Sequence, residues 1–201
     1  MEPCVFTVGH STHPVERLIE LLKQHSITAV CDVRSKPYSR MNPQFNREIL
    51  RDALRAEGIA YVFLGKELGA RSDDKSCYRD GQVQYDLLAA TASFKQGLKR
   101  VRDGAEKYRV ALMCAEKDPL QCHRTILVSR HLVEQGIEVG HILADGAIEP
   151  HEKSIERLMN VLRLPQSDMF RSREEIVADA YRMQGQAIAY EEKSAAAPGA
   201  T

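Results

Sequence analysis

The chain has no tryptophan, only 6% aromatic residues and no excess of charge of either sign, since 28 Lys and Arg stand against 28 Asp and Glu. That balance excludes a global field drawing the protein to nucleic acid or an anionic membrane, so any anion site has to be built locally. No apolar run of about 18 residues occurs. The opening MEPCVFTVGHS lacks a basic stretch followed by an apolar one, so no membrane association is expected, and a cytoplasmic location is. The five cysteines, Cys4, Cys31, Cys77, Cys114 and Cys122, are odd in number and irregular in spacing, which argues against a disulfide framework and predicts free thiols. A glycine-rich phosphate loop of the P-loop or dinucleotide type is also missing.

What is there suits one soluble globular domain, 43% hydrophobic and 28% charged over 201 residues. CVFTVGHS reads as a short strand. HPVERLIELLKQHS places Val15, Leu18, Ile19 and Leu22 at helical spacing, with Ser11 or Thr12 as N-cap and Pro14 near the first turn. TAVCDVRS is a second strand, REILRDALRAEGI a helix closed by Gly58, and AYVFLG a third strand. Residues 66–86 are charged, glycine-containing and aperiodic, and predict a long surface excursion. There follow one helix from Leu87 to Tyr108, a strand in RVALMCAE, one helix from Pro119 to Gly136, a strand in EVGHIL and a helix in PHEKSIERLMNVLRL. The alternation predicts an α/β fold: an open, mostly parallel sheet with helices on both faces, in a single domain over 1–164. A C-terminal helical extension over 165–192 and a disordered tail over 193–201 complete the chain.

In such sheets ligands bind beyond the carboxyl ends of the strands, so residues just after the strands should share one rim. After the first strand, His10 or Ser11 faces a ligand unless the segment serves only to cap the next helix. After the second, alternation puts Asp32 and Arg34 on one face with Val30, and Cys31 with Val33 on the other. Two charges at the end of a buried strand mark either an internal ion pair or, with Lys36 and Arg40 close in sequence, an anion site.

The stretch LMCAEKDPLQCHRTIL concentrates the remaining chemistry. Cys114 and Glu116 come last on a strand face shared with Val110 and Leu112. Asp118, Pro119 and Gln121 form a helix start with a capping-box pattern. Cys122 falls on a helical stripe with Ile126 and Val133, as a buried thiol would, although a position near a helix N-terminus lowers the pKa of an exposed one. The spacing disfavours metal, because Cys114 and Cys122 lack the C-x2-C pattern and adjacent Cys122 and His123 diverge on a regular helix. A phosphatase-like or rhodanese-like loop fails too, the sixth residue after Cys114 being Leu120 instead of arginine.

The blocks GHST, DVRSKPYSRMNPQFN, YVFLGKELGAR, LMCAEKDPLQCHR and GHIL, in this order, resemble the bacterial proteins grouped as domain of unknown function 488, from about Phe6 to His151. The resemblance implies an α/β domain with its signature at the strand ends and no established reaction. It points to His10, Ser11, Asp32, Arg34, Pro37, Ser39, Cys114, Glu116, Cys122, His123 and Arg124.

The expectation is an enzyme that hydrolyses, or transfers a group from, a phosphorylated or nucleotide-like small molecule, or a nucleic acid end. Arg34, Arg40 and Arg124 would grip the anion, with Ser11, Ser39 and Cys122 beside it. Asp32 or Glu116 would be the general base, His10 or His123 the acid, and Cys114 the nucleophile of any covalent step. No cofactor or structural metal is expected, and the C-terminal helix is a candidate homodimer contact. A non-catalytic nucleotide-binding regulatory module and a thiol or metal sensor are the alternatives.

Overall fold

The computed structural model describes residues 4–192; the tail expected over 193–201 lies outside them. In chain order the main strands are β1 (Cys4–Gly9), β2 (Ala29–Asp32), β3 (Ala60–Phe63), a small hairpin of β4 (Tyr78–Arg79) and β5 (Gln82–Val83), β6 (Val110–Cys114), β7 (Glu138–Ile142) and β8 (Ile148–Pro150). The helices are α1 (Val15–Gln24), α2 (Arg47–Ala56), α3 (Gly65–Leu68), α4 (Tyr85–Ala90), α5 (Ala92–Ala105), α6 (Arg130–Val133), α7 (His151–Val161) and α8 (Arg173–Ile188). The main sheet has six strands in the order β3-β2-β6-β1-β7-β8, all parallel except β8, which runs antiparallel to β7. The expected open α/β sheet is therefore present, with a short edge strand added that three residues gave no period to reveal.

The central strands β2 and β6 are buried along their whole length, as parallel strands sandwiched by helices must be. Val30, Ala111 and Met113 pack with Phe6 and Val8 against α1 and α2 on one face. Val5, Cys31, Val33, Leu112 and Cys114 pack on the other against Leu68, Phe94, Leu98 and Leu127. The face alternation of Asp32 and Arg34 against Cys31 and Val33 follows the strand period.

Several local expectations change. The first helix starts at Val15 with Pro14 as its cap residue and no side-chain cap, so Ser11 and Thr12 do not play that part. Ser11 instead takes a left-handed φ of 51°, because His10 and Ser11 still donate their N–H groups to the carbonyls of Cys114 and Ala115 before the chain turns away. The helix expected from Leu87 to Tyr108 is two, since Thr91 breaks it and caps α5 by accepting the Phe94 N–H at 3.1 Å. Residues 66–86 run largely along the surface, with Arg71 and residues 73–76 exposed, and are anchored to the core by Leu68, Cys77 and Val83.

The C-terminal extension is an integral wall. A capping box between Ser172 and Glu175 starts α8, whose Ile176, Ala180, Tyr181 and Gln184 are buried, and Gln184 donates to the Leu120 carbonyl at 2.8 Å. After α8 the chain returns to the hairpin, where Val83 N–H donates to the Tyr190 carbonyl and Glu192 N–H to that of Gly81. The apolar face of α8 is thus covered by this same chain.

Candidate functional site

The segment after β6 does not run into one regular helix. Asp118 caps a single 3-10 turn, Pro119–Gln121, by accepting the Leu120 N–H, with no reciprocal bond from Gln121. Cys122 then swings into an extended conformation, φ −138° and ψ 138°, and a π-helical stretch, Arg124–Ser129, precedes α6. Pro119 and Asp118 read as an ordinary helix start, and the break after them has no signature in residue type. Wide π turns recur at functional sites because they re-aim side chains that an α-helix would fan apart.

The break turns Cys122 and His123 toward Cys114. Glu116 Oε2 accepts from the Cys114 thiol at 3.0 Å and from the Cys122 thiol at 2.9 Å. His123 Nδ1 lies 3.8 Å from Cys114 Sγ and 3.9 Å from Cys122 Sγ, while its Nε2 meets the Val33 carbonyl at 3.1 Å. A carbonyl only accepts, so Nε2 carries the proton and Nδ1 presents a lone pair to both sulfurs. Both cysteines and His123 are buried, whereas Glu116 stands at the mouth with part of its side chain in solvent.

The two thiols are not equivalent. The hydrogen bond with Cys122 and deep burial push Cys114 well up, against the role of nucleophile. Burial also opposes ionisation of Cys122, but the Cys114 hydrogen bond, the Arg124 charge and, when it is protonated, His123 prevail and pull it well down. Glu116 is raised, by its partial burial and by the Cys122 sulfur, which suits a proton acceptor.

A second cluster braces the first. Asp32 accepts from Arg34 Nε at 2.9 Å, Arg34 Nη2 at 2.6 Å, the Arg34 N–H at 3.1 Å and the Tyr61 hydroxyl at 2.7 Å. Arg34 Nη2 also donates to the Phe45 carbonyl and Nη1 to His10 Nε2 at 3.1 Å. The Asp32 carboxylate is fully committed, so of the two expected bases only Glu116 is free to take a proton. His10, stacked on Phe45 and buried beside the Arg34 charge, is pushed down to about 4 and stays neutral, which removes it as a general acid at ordinary pH.

Arg124 is completely buried, with Nη1 and Nη2 donating to the Glu116 and Lys117 carbonyls and Nε to Thr7 Oγ1. It positions the loop that carries Glu116 and offers no fork to a ligand. Gly9 makes this possible, since a Cβ there would lie 1.9 Å from the Glu116 carbonyl oxygen and 3.3 Å from Arg124 Nη2. Ser39 accepts the Met41 and Asn42 N–H groups in a turn, Arg40 is exposed nearby, and the buried Pro37 accepts the Arg47 N–H through its carbonyl. None of these three borders the cavity over the thiols, and neither does Ser11.

That cavity, about 280 Å³, is lined by Cys114, Glu116, Cys122 and His123 together with Arg34, Lys36 and Arg71. Tyr85 and Tyr190 supply aromatic walls, the Arg71 guanidinium resting 4.3 Å from the Tyr190 ring centre. Among the described residues Lys36 and Arg71 make no salt bridge, and the buried Tyr85 hydroxyl has no hydrogen-bond partner. Tyr85 and Tyr190 reach the rim through tertiary folding of segments with no motif, and Arg71, although it ends the YVFLGKELGAR block, carries no local signal of a ligand role. A larger apolar groove, about 700 Å³, follows the β7–β8 edge.

A mostly parallel sheet with thiol, imidazole and carboxylate groups converging beyond its strand ends defines an α/β protein with a rim site. The family model described as Domain of unknown function DUF488 matches residues 14–131, and the chain belongs to this family. The matched span contains Asp32, Arg34 and the whole Cys114–Arg124 stretch, and leaves out His10 before it and the segments after it. No curated protein and no solved structure matches the chain. No helix among the described residues is long and apolar enough to cross a membrane.

Proposed function

We propose that the chain is an enzyme that draws a small phosphorylated or nucleotide-like anion into the rim cavity and hydrolyses it or transfers a group from it. The supporting observation is the shared lining of one cavity of about 280 Å³, where Lys36 and Arg71, without salt bridges among the described residues, border the same space as Glu116 and the two thiols it accepts from. That volume is near the lower end for a small-molecule site and suits a compact substrate. Lys36 and Arg71, with the remaining N–H of Arg34 Nη1 below them, hold the anion; Tyr85 and Tyr190 flank its remainder, and Glu116 accepts a proton. Arg40 and Arg124 are released from the anion-binding set.

The test is a panel of phosphate, pyrophosphate, sugar phosphates and mononucleotides, read by thermal shift and by turnover. A ligand that binds only the native state raises Tm once its concentration exceeds Kd. The expected result is a shift with at least one phosphorylated compound that shrinks in Lys36→Ala and Arg71→Ala, with turnover lost in Glu116→Gln. A panel without shift or turnover in the parent protein removes the proposal.

A further inference from the structure

Among the described residues, the ligating atoms of Cys114, Cys122 and His123 lie within 4.8 Å of one another. A tetrahedral zinc ion, with Zn–S of about 2.3 Å and Zn–N of about 2.0 Å, sets its ligands apart by roughly 3.6 Å for S···N and roughly 3.8 Å for S···S. The observed S···N separations of 3.8 Å and 3.9 Å approach that edge length without any backbone movement. We infer that Cys114, Cys122 and His123 form a binding site for one thiophilic divalent transition metal ion, with zinc(II) as its type, and an open fourth position facing the rim cavity.

Three features support the site independently. His123 is fixed in the ligating tautomer, because its Nε2–H is held by the Val33 carbonyl, the kind of outer contact that orients metal-bound imidazoles. The extended backbone at Cys122 removes the fanning of neighbouring side chains that would forbid adjacent residues from sharing an ion. All three ligands border the cavity, so a fourth position is open to water or substrate, which is the catalytic and not the closed structural arrangement of zinc. Two thiolates and an imidazole suit zinc or iron(II) and are a poor match for magnesium or calcium. Metal binding releases the two thiol protons to solvent through the cavity, and Glu116, within hydrogen-bond reach of both sulfurs, borders that same cavity.

The spacing argument against metal assumed a regular helix, and that assumption does not hold here. The inference goes beyond the proposed reaction and is read without activity, so each can fail alone. The full chain, produced without a histidine tag in zinc-supplemented medium and kept anaerobic, is assayed for metal per chain by mass spectrometry and then for cobalt(II) binding after chelation. The expected result is close to one zinc or iron per chain, and a cobalt form with visible d–d bands of four-coordinate type and a near-ultraviolet thiolate-to-cobalt charge-transfer band. Cys122→Ser and His123→Ala lose the stoichiometric metal, whereas Cys4→Ser retains it. Should a cluster variant fail to fold, the charge-transfer band of the parent protein alone reports thiolate ligation. A parent protein that takes up no stoichiometric metal from excess zinc, gives cobalt spectra without thiolate bands, or is isolated anaerobically with Cys114 and Cys122 as a disulfide overturns the inference.

Discussion

Arg34 Nη1 donates to His10 Nε2 across 3.1 Å, while His10 Nδ1 donates to the Ser11 carbonyl at 2.7 Å. The two contacts leave the imidazole no room for a second proton. The same holds in the core, where Thr7, His141, His151 and Tyr181 form a buried hydrogen-bonded chain with links of 2.8, 3.0 and 2.7 Å.

These histidines predict the acid limb of the stability curve. Burial and the Arg34 charge push His10 down to about 4, burial does the same for His151, and His141 also lies well below its ordinary value. The unfolded chain binds more protons between the ordinary histidine range near 6.5 and about 4, so stability is complete above that window and falls as pH drops through it. His10 and His151 each contribute up to about 3 kcal/mol to the loss. Denaturant titrations across the window should show the slope, and His10→Gln should reduce it; a flat profile contradicts the assignment.

The Asp32–Arg34 pair separates bracing from binding. Asp32→Ala strands a buried guanidinium and should cost about 3 to 5 kcal/mol. Lys36→Ala, an exposed change, should leave the melting temperature nearly unaltered. Thermal melts without ligand decide: equal small effects from both would place Arg34 in the binding set alone.

Gly9→Ala should destabilise by roughly 1 to 3 kcal/mol, since the new methyl must displace the Glu116 carbonyl and with it the Arg124 tether. Any activity should fall further than the loss of folded protein explains, because Glu116 moves. Activity per folded molecule, measured below the transition, provides the check.

Removing residues from 165 onward should lower Tm substantially, since Ile176, Ala180 and Tyr181 bury against Leu120 and Ile126 in the same cluster. A truncated chain that melts like the parent would show the extension to be dispensable.

The parallel sheet was legible because buried β-branched runs alternate with strong helical periods, and the strand period alone put Asp32 and Arg34 on one face. The rim rule brought Arg34, Cys114 and Glu116 to one cavity from distant parts of the chain, whereas His10 and Asp32 contact Arg34 and stay outside the lining. It could not tell a charge that serves a ligand from one spent on a carbonyl: Arg124 looks like an anion grip in sequence and is a tether in space. Nor could it see the π turn, for which Arg-Thr-Ile-Leu-Val-Ser carries no signature in residue type.

The return of the chain after α8 places Ile188 and Tyr190 on the wall of the cavity, outside the 14–131 span that defines the family. Part of the wall therefore comes from outside the stretch that supplies the floor, while Arg71 and Tyr85 lie within it. The thiol–imidazole floor can persist while that part of the wall is exchanged, so two chains alike over the shared span need not have the same cavity shape, and under the proposed function a transplant of residues 165–192 should change which phosphorylated compounds shift Tm.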